Sequence, residues 1–168
     1  MTAHKVMLLG EIGVGKSSIV QRLVFDRFDF DYKPTIGVDI YRYDVPGREG
    51  CPGTSLIVWD TDGNFGDAIF RHVYMREAAG AVIVGDASRP STIETMAALV
   101  AGFRQALPGR PATLVINKCD LCSPDTAIEL PVSLTAQGRM IHRTSAKTGA
   151  NIHSVFRETA DVIERRKV

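Results

Sequence analysis

The feature that most constrains this chain is the segment Gly10–Ser17, which reads GEIGVGKS between a short apolar run and an amphipathic stretch. It matches the pattern G-x-x-x-x-G-K-[ST], in which Gly13 and Gly15 would let backbone N–H groups approach an anion at the beginning of a helix. Lys16 would reach β- and γ-phosphates, and Ser17 would offer a hydroxyl to Mg²⁺. Since a chance match occurs in roughly one chain in a hundred of this length, we expect a phosphate-binding loop.

Short β-branched runs alternate with longer amphipathic segments along the chain. The runs predict strands at Val6–Leu9, Ile36–Val45, Thr54–Asp60, Ala81–Asp86, Ala112–Asn117 and Met140–Thr144. The amphipathic segments predict helices at Lys16–Phe25, Asp67–Glu77, Ser91–Ala106, Ser133–Arg139 and from Asn151 onward. Asn151 itself is expected to be the N-cap of the last helix, because asparagine is favoured at that position.

This alternation predicts an α/β fold with a mostly parallel six-stranded sheet and helices on both faces. The proline- and glycine-rich connection Pro46–Gly53 predicts a hairpin, which adds one antiparallel edge strand. Ligands of such sheets bind beyond the carboxyl ends of the strands, so the loops at that edge matter most. No repeat or linker divides the 168 residues, and we therefore expect a single domain over residues 1–168.

The composition limits the classes of function that the chain can have. A formal net charge of +1 gives no electrostatic basis for attraction to nucleic acid or to a membrane surface. The three cysteines form an odd number and follow no secretory signal, so a reducing, cytoplasmic compartment is expected. The final residues contain no cysteine that could carry a prenyl group, and we expect no lipid anchor in this chain.

A second motif, Asn117–Asp120, follows the fifth predicted strand and reads NKCD. The carboxylate of Asp120 can accept two hydrogen bonds from the N1–H and the exocyclic amine of guanine, a pair that adenine does not supply. Asn117 would tie neighbouring loops together, and the stem of Lys118 would cover the face of the base. The segment Ser145–Lys147 follows the sixth predicted strand, where a backbone N–H could meet guanine O6.

With these residues in place, the chain resembles the small GTPases of the Ras superfamily, and most nearly the Rab branch, over essentially its whole length. The motifs that carry the resemblance are Gly10–Ser17, Tyr32–Gly37, Trp59–Gly63, Asn117–Asp120 and Ser145–Lys147, in this order. The resemblance implies a P-loop NTPase G domain that binds GTP or GDP with Mg²⁺ and hydrolyses GTP. Arginine outnumbers lysine, as in chains from GC-rich genomes, so a bacterial member of the Rab group is a further interpretation.

The resemblance also implies a role for individual residues. The implied nucleotide contacts are Gly13, Val14, Gly15, Lys16, Ser17, Ser18, Phe28, Tyr32, Pro34, Thr35, Gly63, Asn117, Lys118, Asp120, Ser145, Ala146 and Lys147. The implied magnesium site consists of Ser17, Thr35 and Asp60. Segments around Thr35 and Gly63 would be the switches, ordered by the γ-phosphate and presented to effector and regulator proteins.

An apolar triad read by partners in Rab-like proteins corresponds here to Ile40, Trp59 and Tyr74. The alternative for these three residues is ordinary packing of the core and the hairpin, and the sequence does not choose between the two.

Three departures from the family pattern surround the predicted site of the γ-phosphate. Asn64 stands where a glutamine would orient the attacking water, and its side chain is one methylene shorter. Asp62 places a carboxylate near the γ-phosphate, which it would repel unless it is protonated or partnered. Ile12 brings a branched side chain to a position that is usually small. With Lys16, Asp62 and Asn64 as the catalytic candidates, we expect a GTP hydrolase whose intrinsic rate is very slow.

Two other functions remain open at this level. The first is a pseudo-GTPase, a binding module or scaffold that holds one nucleotide and does not cycle. The second is a P-loop kinase, which is disfavoured because the guanine-reading motif is present and no lid or acceptor site is evident.

Phe65 replaces an acidic residue that often takes part in nucleotide exchange, so the usual exchange mechanism is in doubt.

Overall fold

A single sheet of six strands organises the protein, whose computed structural model describes residues 1–31, 33–63, 73–136 and 140–166. The strands are β1 (Thr2–Gly10), β2 (Val38–Val45), β3 (Thr54–Thr61), β4 (Gly80–Asp86), β5 (Ala112–Asn117) and β6 (Ile141–Arg143). Their order across the sheet is β2-β3-β1-β4-β5-β6. Only the pair β2–β3 among these neighbours is antiparallel, and β2 lies at the edge. The predicted sheet is thereby confirmed.

Four α-helices lie in the described residues. They are α1 (Lys16–Phe25), α2 (Pro90–Ala106), α3 (Val132–Thr135) and α4 (Ile152–Arg165), with a 3₁₀ turn at Cys119–Leu121. Most of the predicted helix Asp67–Glu77 falls outside the described residues. Residues 73–74 are helical, but Glu77 lies beyond the end of this helix in a left-handed conformation with a φ of 63°. None of the helices in the described ranges combines the length and the apolar character needed to cross a bilayer.

The core consists of two apolar layers, one on each face of the sheet. On one face, Val6, Leu8 and Val84 pack with residues of α1 and α4, among them Ile19 and Phe156. On the other face lie the residues that alternate with them along the strands, and they pack with α2 and α3. Because the central strands are covered on both faces, Val6 to Leu9 are all fully buried, which explains why β1 is a continuous apolar run.

The strand ends differ from the predicted ones for physical reasons. β1 begins at Thr2 and not at Val6, because Thr2 to Leu8 pair in register with Thr54 to Asp60 of β3 whatever their polarity. The polar His4 is tolerated in this strand since its Nε2 lies 2.7 Å from Glu164 Oε1. β2 begins only at Val38; Ile36, assigned to the strand by its β-branched side chain, is 91% exposed and unpaired in the sheet.

Asn151 precedes α4 as predicted, but its side chain does not cap the helix. Its backbone is left-handed, with a φ of 60°, and its Nδ2 donates instead to the carbonyl oxygen of Arg143 at 2.8 Å. Asn151 is thus the N-cap residue as predicted, but its side chain joins the end of β6 to the beginning of α4 and does not bond to the first turn of the helix. The helix predicted at Ser133–Arg139 is likewise shorter, since α3 ends at Thr135 and residues 137–139 lie outside the described part.

Candidate functional site

A cavity of about 1310 Å³ opens at the carboxyl ends of β1, β3 and β5. Predicted nucleotide contacts form most of its lining: Gly13, Gly15, Lys16, Ser17, Ser18, Phe28, Pro34, Thr35, Gly63, Asn117, Lys118, Asp120, Ala146 and Lys147. Val14, Asp60 and Ser145 are buried behind this lining. Tyr32 and Asn64 lie outside the described residues.

The loop between β1 and α1 has the backbone that its glycines allow. Gly13 and Gly15 have φ values of 79° and 98°, in the left-handed region that other residues rarely adopt. A Cβ on Gly15 would also overlap the side-chain amide of Asn117, so this position requires glycine for its packing as well. At Gly13 and Gly15 the loop therefore presents backbone to the cavity.

Lys16 is 6% exposed and folds back over this loop. Its ammonium donates to the carbonyl oxygens of Gly10 at 2.8 Å and Glu11 at 3.1 Å. Burial lowers the pKa of Lys16 to about 8, although the charges of Asp60 and Asp62 favour the protonated form. An anion entering the cavity would supply the counter-charge that stabilises the ammonium.

The three predicted metal ligands meet at one point below the cavity. Ser17 Oγ lies 2.6 Å from Thr35 Oγ1 and donates to Asp60 Oδ2 at 2.5 Å. Asp60 is fully buried, and this burial raises the pKa of its carboxyl to about 6, against the hydrogen bond from Ser17 and the charge of Lys16. Its second oxygen, Oδ1, has no hydrogen-bond partner within the described ranges.

This group of atoms fits a small divalent cation. Two hydroxyls and a carboxylate are the hard oxygen donors that Mg²⁺ prefers, and Mg²⁺ is bound typically by one or two carboxylates together with substrate phosphates. A buried carboxylate with an unpartnered oxygen is costly unless it is neutralised. A cation would remove that cost, because it would favour the ionised form and give both oxygens of Asp60 a polar environment.

Asn117 joins three loops beneath the part of the cavity that is predicted to bind the base. It is 1% exposed, and its Nδ2 donates to the carbonyl oxygen of Val14 at 3.0 Å. Its Oδ1 accepts from Thr144 Oγ1 at 3.1 Å and from the backbone N–H of Ala146 at 3.2 Å. The predicted role of Asn117 in joining the loops thus has a direct geometric counterpart.

Asp120, predicted to read the base, is exposed in the cavity wall. Ser145 Oγ donates to its Oδ1 at 2.6 Å and itself accepts from the backbone N–H of Thr148 at 3.1 Å. Ser145 therefore orients the carboxylate rather than lining the cavity. The opposite wall is aromatic: the rings of Phe28 and Phe30 meet edge-on at 5.0 Å, and Lys147 Nζ lies 5.7 Å from the Phe30 centroid.

Sequence reasoning missed two charged residues beside the loop. Asp86 ends β4 with 1% exposure, and its Oδ2 lies 3.0 Å from Lys118 Nζ and 3.2 Å from Arg89 Nε. Hydrogen bonds from Ser88, Lys118 and Arg89 lower the pKa of Asp86 even though burial acts to raise it. A carboxylate at the end of a buried parallel strand could have been noticed from its position, but no sequence pattern marked Arg89.

The side of the cavity assigned to hydrolysis is built differently. Ile12 is 44% exposed and packs against Gly63 so closely that a Cβ on Gly63 would overlap the backbone and side chain of Ile12. Asp62 lines the cavity, and its backbone N–H donates to the carbonyl oxygen of Gly37 at 3.0 Å. The structure thus brings Ile12, Asp62 and Gly63 together, while the third departure, Asn64, lies outside the described residues.

The candidate partner triad forms a continuous patch beside β2 and β3. Ile40 pairs with Trp59 across the two strands, and the Trp59 and Tyr74 rings meet at 6.1 Å. Lys5 Nζ lies 3.8 Å from the centre of the Trp59 ring. Trp59 and Tyr74 are partly buried against the core, whereas Ile40 is 54% exposed. Core packing therefore describes Trp59 and Tyr74, whereas an exposed surface that a partner could contact describes Ile40.

Comparison with known proteins identifies a matching family and several relatives. The model of the Ras family matches residues 5–165. The chain is 36% identical to Ras-related protein Rab-22A of Canis lupus familiaris over 159 residues, covering 92% of this chain and 80% of the relative. It is 35% identical to Rab-31 of Rattus norvegicus, covering 90% and 78%, and 33% identical to Rab-32A of Dictyostelium discoideum, covering 98% and 80%.

Proposed function

The chain belongs to the Ras family of GTP-binding molecular switches, and we propose that its cavity holds GTP or GDP with Mg²⁺ while hydrolysing GTP very slowly. Members of this family are GTPases, and the relatives that match this chain belong to its Rab branch. The observation that carries the proposal is the cluster of Ser17, Thr35 and Asp60, which joins the phosphate-binding loop to the segment after α1 around an unpartnered buried oxygen.

The donors around the cavity support each part of nucleotide binding. Asp120, oriented by Ser145, would accept the N1–H and the amino group of guanine. The loop backbone at Gly13 and Gly15, together with the positive end of α1, would bind the phosphates. Lys16 would exchange its two carbonyl partners for β- and γ-phosphate oxygens. Phe28 would pack against the edge of the base.

Mg²⁺, when bound, would neutralise phosphate charge and bridge the nucleotide to the protein. Ser17 and Thr35 would contribute hydroxyl oxygens to it, and Asp60 would contribute its carboxylate from below. Since Thr35 lies in the segment that follows α1 and precedes β2, its position would depend on the ion and on the nucleotide. The Thr35 and Gly63 segments would thereby signal the bound state to effector and regulator proteins, with Ile40, Trp59 and Tyr74 as the adjoining surface.

Slow hydrolysis is supported by the contact between Ile12 and Gly63. An attacking water has to stand in line with the bond that breaks, in a space bounded by the phosphate loop and the segment after β3. The Ile12 side chain lines the cavity and packs on Gly63, where it would take up part of that space. Asp62 adds negative charge beside the phosphates, and Asn64 would be short of the water by one methylene. Geometric misplacement of this kind costs about 100-fold in rate in other enzymes.

A single domain over residues 1–168 is proposed on the strength of the one continuous sheet with its two apolar layers. A cytoplasmic location is proposed because Cys51, Cys119 and Cys122 are free thiols in the part of the chain that the structure describes.

The first experiment identifies the nucleotide that co-purifies, by chromatography of the denatured protein. We expect a guanine nucleotide at close to one equivalent, and finding ATP or ADP instead would refute the reading of Asp120. The second experiment is a single-turnover hydrolysis assay with GTP and Mg²⁺. We expect a rate below the intrinsic Ras rate, about 3–5 × 10⁻⁴ s⁻¹, and a rate at or above it would refute slow hydrolysis.

The same contact between Ile12 and Gly63 favours a second candidate, a pseudo-GTPase that binds but does not cycle. The two are separated by the assay itself: a slow but measurable release of phosphate supports the GTPase, whereas retained GTP with no release over days supports the binding module. Release should also disappear when Mg²⁺ is chelated, which serves as the control for contaminating phosphatases.

A further inference from the structure

Three consecutive residues of the phosphate-binding loop are held by side chains from other segments of the chain. Thr95 Oγ1 donates to the carboxylate of Glu11 at 3.0 Å. Arg89 Nη2 donates to the carbonyl oxygen of Ile12 at 2.7 Å, and Lys118 Nζ donates to the carbonyl oxygen of Gly13 at 2.6 Å. Of these three donors, Lys118 lines the cavity, whereas Thr95 and Arg89 do not.

Both cations of this arrangement are fixed by one buried carboxylate. Asp86 Oδ2 lies 3.2 Å from Arg89 Nε and 3.0 Å from Lys118 Nζ. Its other oxygen accepts from the backbone N–H and the hydroxyl of Ser88, at 2.8 and 2.7 Å. Because Arg89 uses Nε toward Asp86 and Nη2 toward Ile12, its planar guanidinium spans the two acceptors at once.

The direction of these carbonyl groups decides where the next N–H group points. In a trans peptide the C=O of one residue and the N–H of the following residue lie in one plane and point in opposite directions. The chain has no cis peptide bonds among the described residues. When Arg89 holds the Ile12 carbonyl outward, the N–H of Gly13 is turned toward the cavity. Lys118 holds the Gly13 carbonyl in the same way, but the N–H of Val14 donates to the Glu11 carbonyl oxygen at 3.4 Å.

We propose that Arg89 is a positioning residue of the phosphate-binding loop: with Asp86 as its anchor, it fixes the Ile12 carbonyl outside the cavity and aims the Gly13 N–H at the terminal phosphates of the nucleotide. This inference rests on the proposed function. Arg89 does not line the cavity, and it acts through the loop backbone rather than by contact with the nucleotide. A Cβ on Gly13 would lie 3.3 Å from Arg89 Nη2, so the guanidinium packs directly beneath the loop.

The test compares GDP with GMP. In Arg89→Met, which keeps a side chain of similar bulk without the guanidinium, GDP should dissociate about fivefold faster, equivalent to about 1 kcal/mol. GMP affinity, measured by competition, should stay within about twofold, because GMP lacks the terminal phosphate that the Gly13 N–H addresses. Arg89→Lys should recover about half of the lost free energy, since an ammonium restores the donor but not the two-armed geometry.

Arg48→Met is the matched control, because Arg48 also pairs with an aspartate, Asp161, and is 51% exposed but lies in the β2–β3 connection. It should leave both nucleotides unaffected. Equal weakening of GDP and GMP in Arg89→Met would indicate a general structural role and overturn the inference, as would an unchanged GDP dissociation rate. If Arg89→Met does not fold, the GDP dissociation rate of Arg89→Lys decides: faster dissociation than in the wild type supports the inference, and an unchanged rate overturns it. Failure of the wild-type protein to bind GDP would instead refute the proposed function.

Discussion

Two halves of the cavity differ in how they are held. In the binding half, made up of Gly13–Ser17, Asn117–Asp120 and Ser145–Lys147, side chains bond to the backbone of neighbouring loops. Asn117 alone joins Val14, Thr144 and Ala146. In the hydrolysis half, made up of Ile12, Asp62 and Gly63, the principal contact is apolar packing of a branched side chain on a glycine.

Under the proposed function, affinity and turnover would depend on separate sets of contacts in the protein. The geometry of the binding half is determined many times over by hydrogen bonds between segments far apart in the chain. The residues that depart from the family pattern are all in or next to the hydrolysis half. A switch can therefore prolong its GTP-bound state through substitutions on one side of the γ-phosphate while the contacts that retain the nucleotide stay intact.

The largest expected effect concerns the binding half and would show how much of the nucleotide affinity depends on one carboxylate. Asp120→Ala removes two charge-assisted hydrogen bonds to guanine, and GDP affinity should fall by about 100-fold or more. Competition with labelled GDP in Mg²⁺ would measure this loss. Asp125→Ala, an exposed aspartate in the next loop, is the control and should bind normally. A loss below about tenfold would show that Asp120 does not read the base.

Removal of the Ser17 hydroxyl tests the metal cluster that joins the halves. Ser17→Ala should weaken Mg²⁺ by about 30-fold, in the range seen when groups that support metal ligands are removed. The measurement is GDP dissociation with Mg²⁺ and with EDTA. Chelation should accelerate dissociation from the wild type but change little in the variant. Wild-type dissociation that does not respond to EDTA would contradict the assignment of Ser17, Thr35 and Asp60 to magnesium.

Shortening Ile12 would make the hydrolysis half resemble that of an ordinary family member. Ile12→Gly relieves the packing on Gly63, and single-turnover hydrolysis should accelerate by about tenfold, since Asp62 and Asn64 remain. GDP affinity should stay unchanged. Ile40→Ala is the control, because it shortens an isoleucine that is 54% exposed and lies away from the cavity. An unchanged rate in Ile12→Gly would assign slow turnover to the segment after Gly63 instead.

The smallest effect concerns protonation of Lys16. Its pKa in the free protein is lowered to about 8 by burial, so above that pH the free protein carries a neutral amine. Binding to phosphate requires the ammonium, so above this pH the neutral amine of Lys16 must take up a proton when the nucleotide binds, and affinity falls as pH rises. Between pH 7.5 and 8.5, GDP affinity should decrease by about threefold. A flat profile would show that Lys16 stays protonated in the free protein.

Much of this architecture follows from the sequence alone because it depends on local patterns. The continuous apolar runs gave the buried strands, and β5 begins and ends where Ala112–Asn117 predicts. The glycine pattern identified the loop before α1, and the motif residues converged on one cavity because parallel strands end at one edge of the sheet.

Features that depend on contacts between distant segments were not accessible in this way. The extension of β1 to Thr2 results from pairing with β3, and the side-chain amide of the N-cap residue Asn151 bonds to Arg143 and not to the first turn of α4. Arg89 lies in an ordinary turn whose significance arises only from the fold, which brings it against Ile12, 77 residues away in sequence.

The position of Asn117 has a consequence for how the protein matures. Its partners are separated from it by 103 residues on one side and by 27 and 29 residues on the other. A chain leaving the ribosome exposes its phosphate loop well before Thr144 and Ala146. The contacts by which Asn117 joins these loops can therefore form only after the segment that follows β6 has been synthesised.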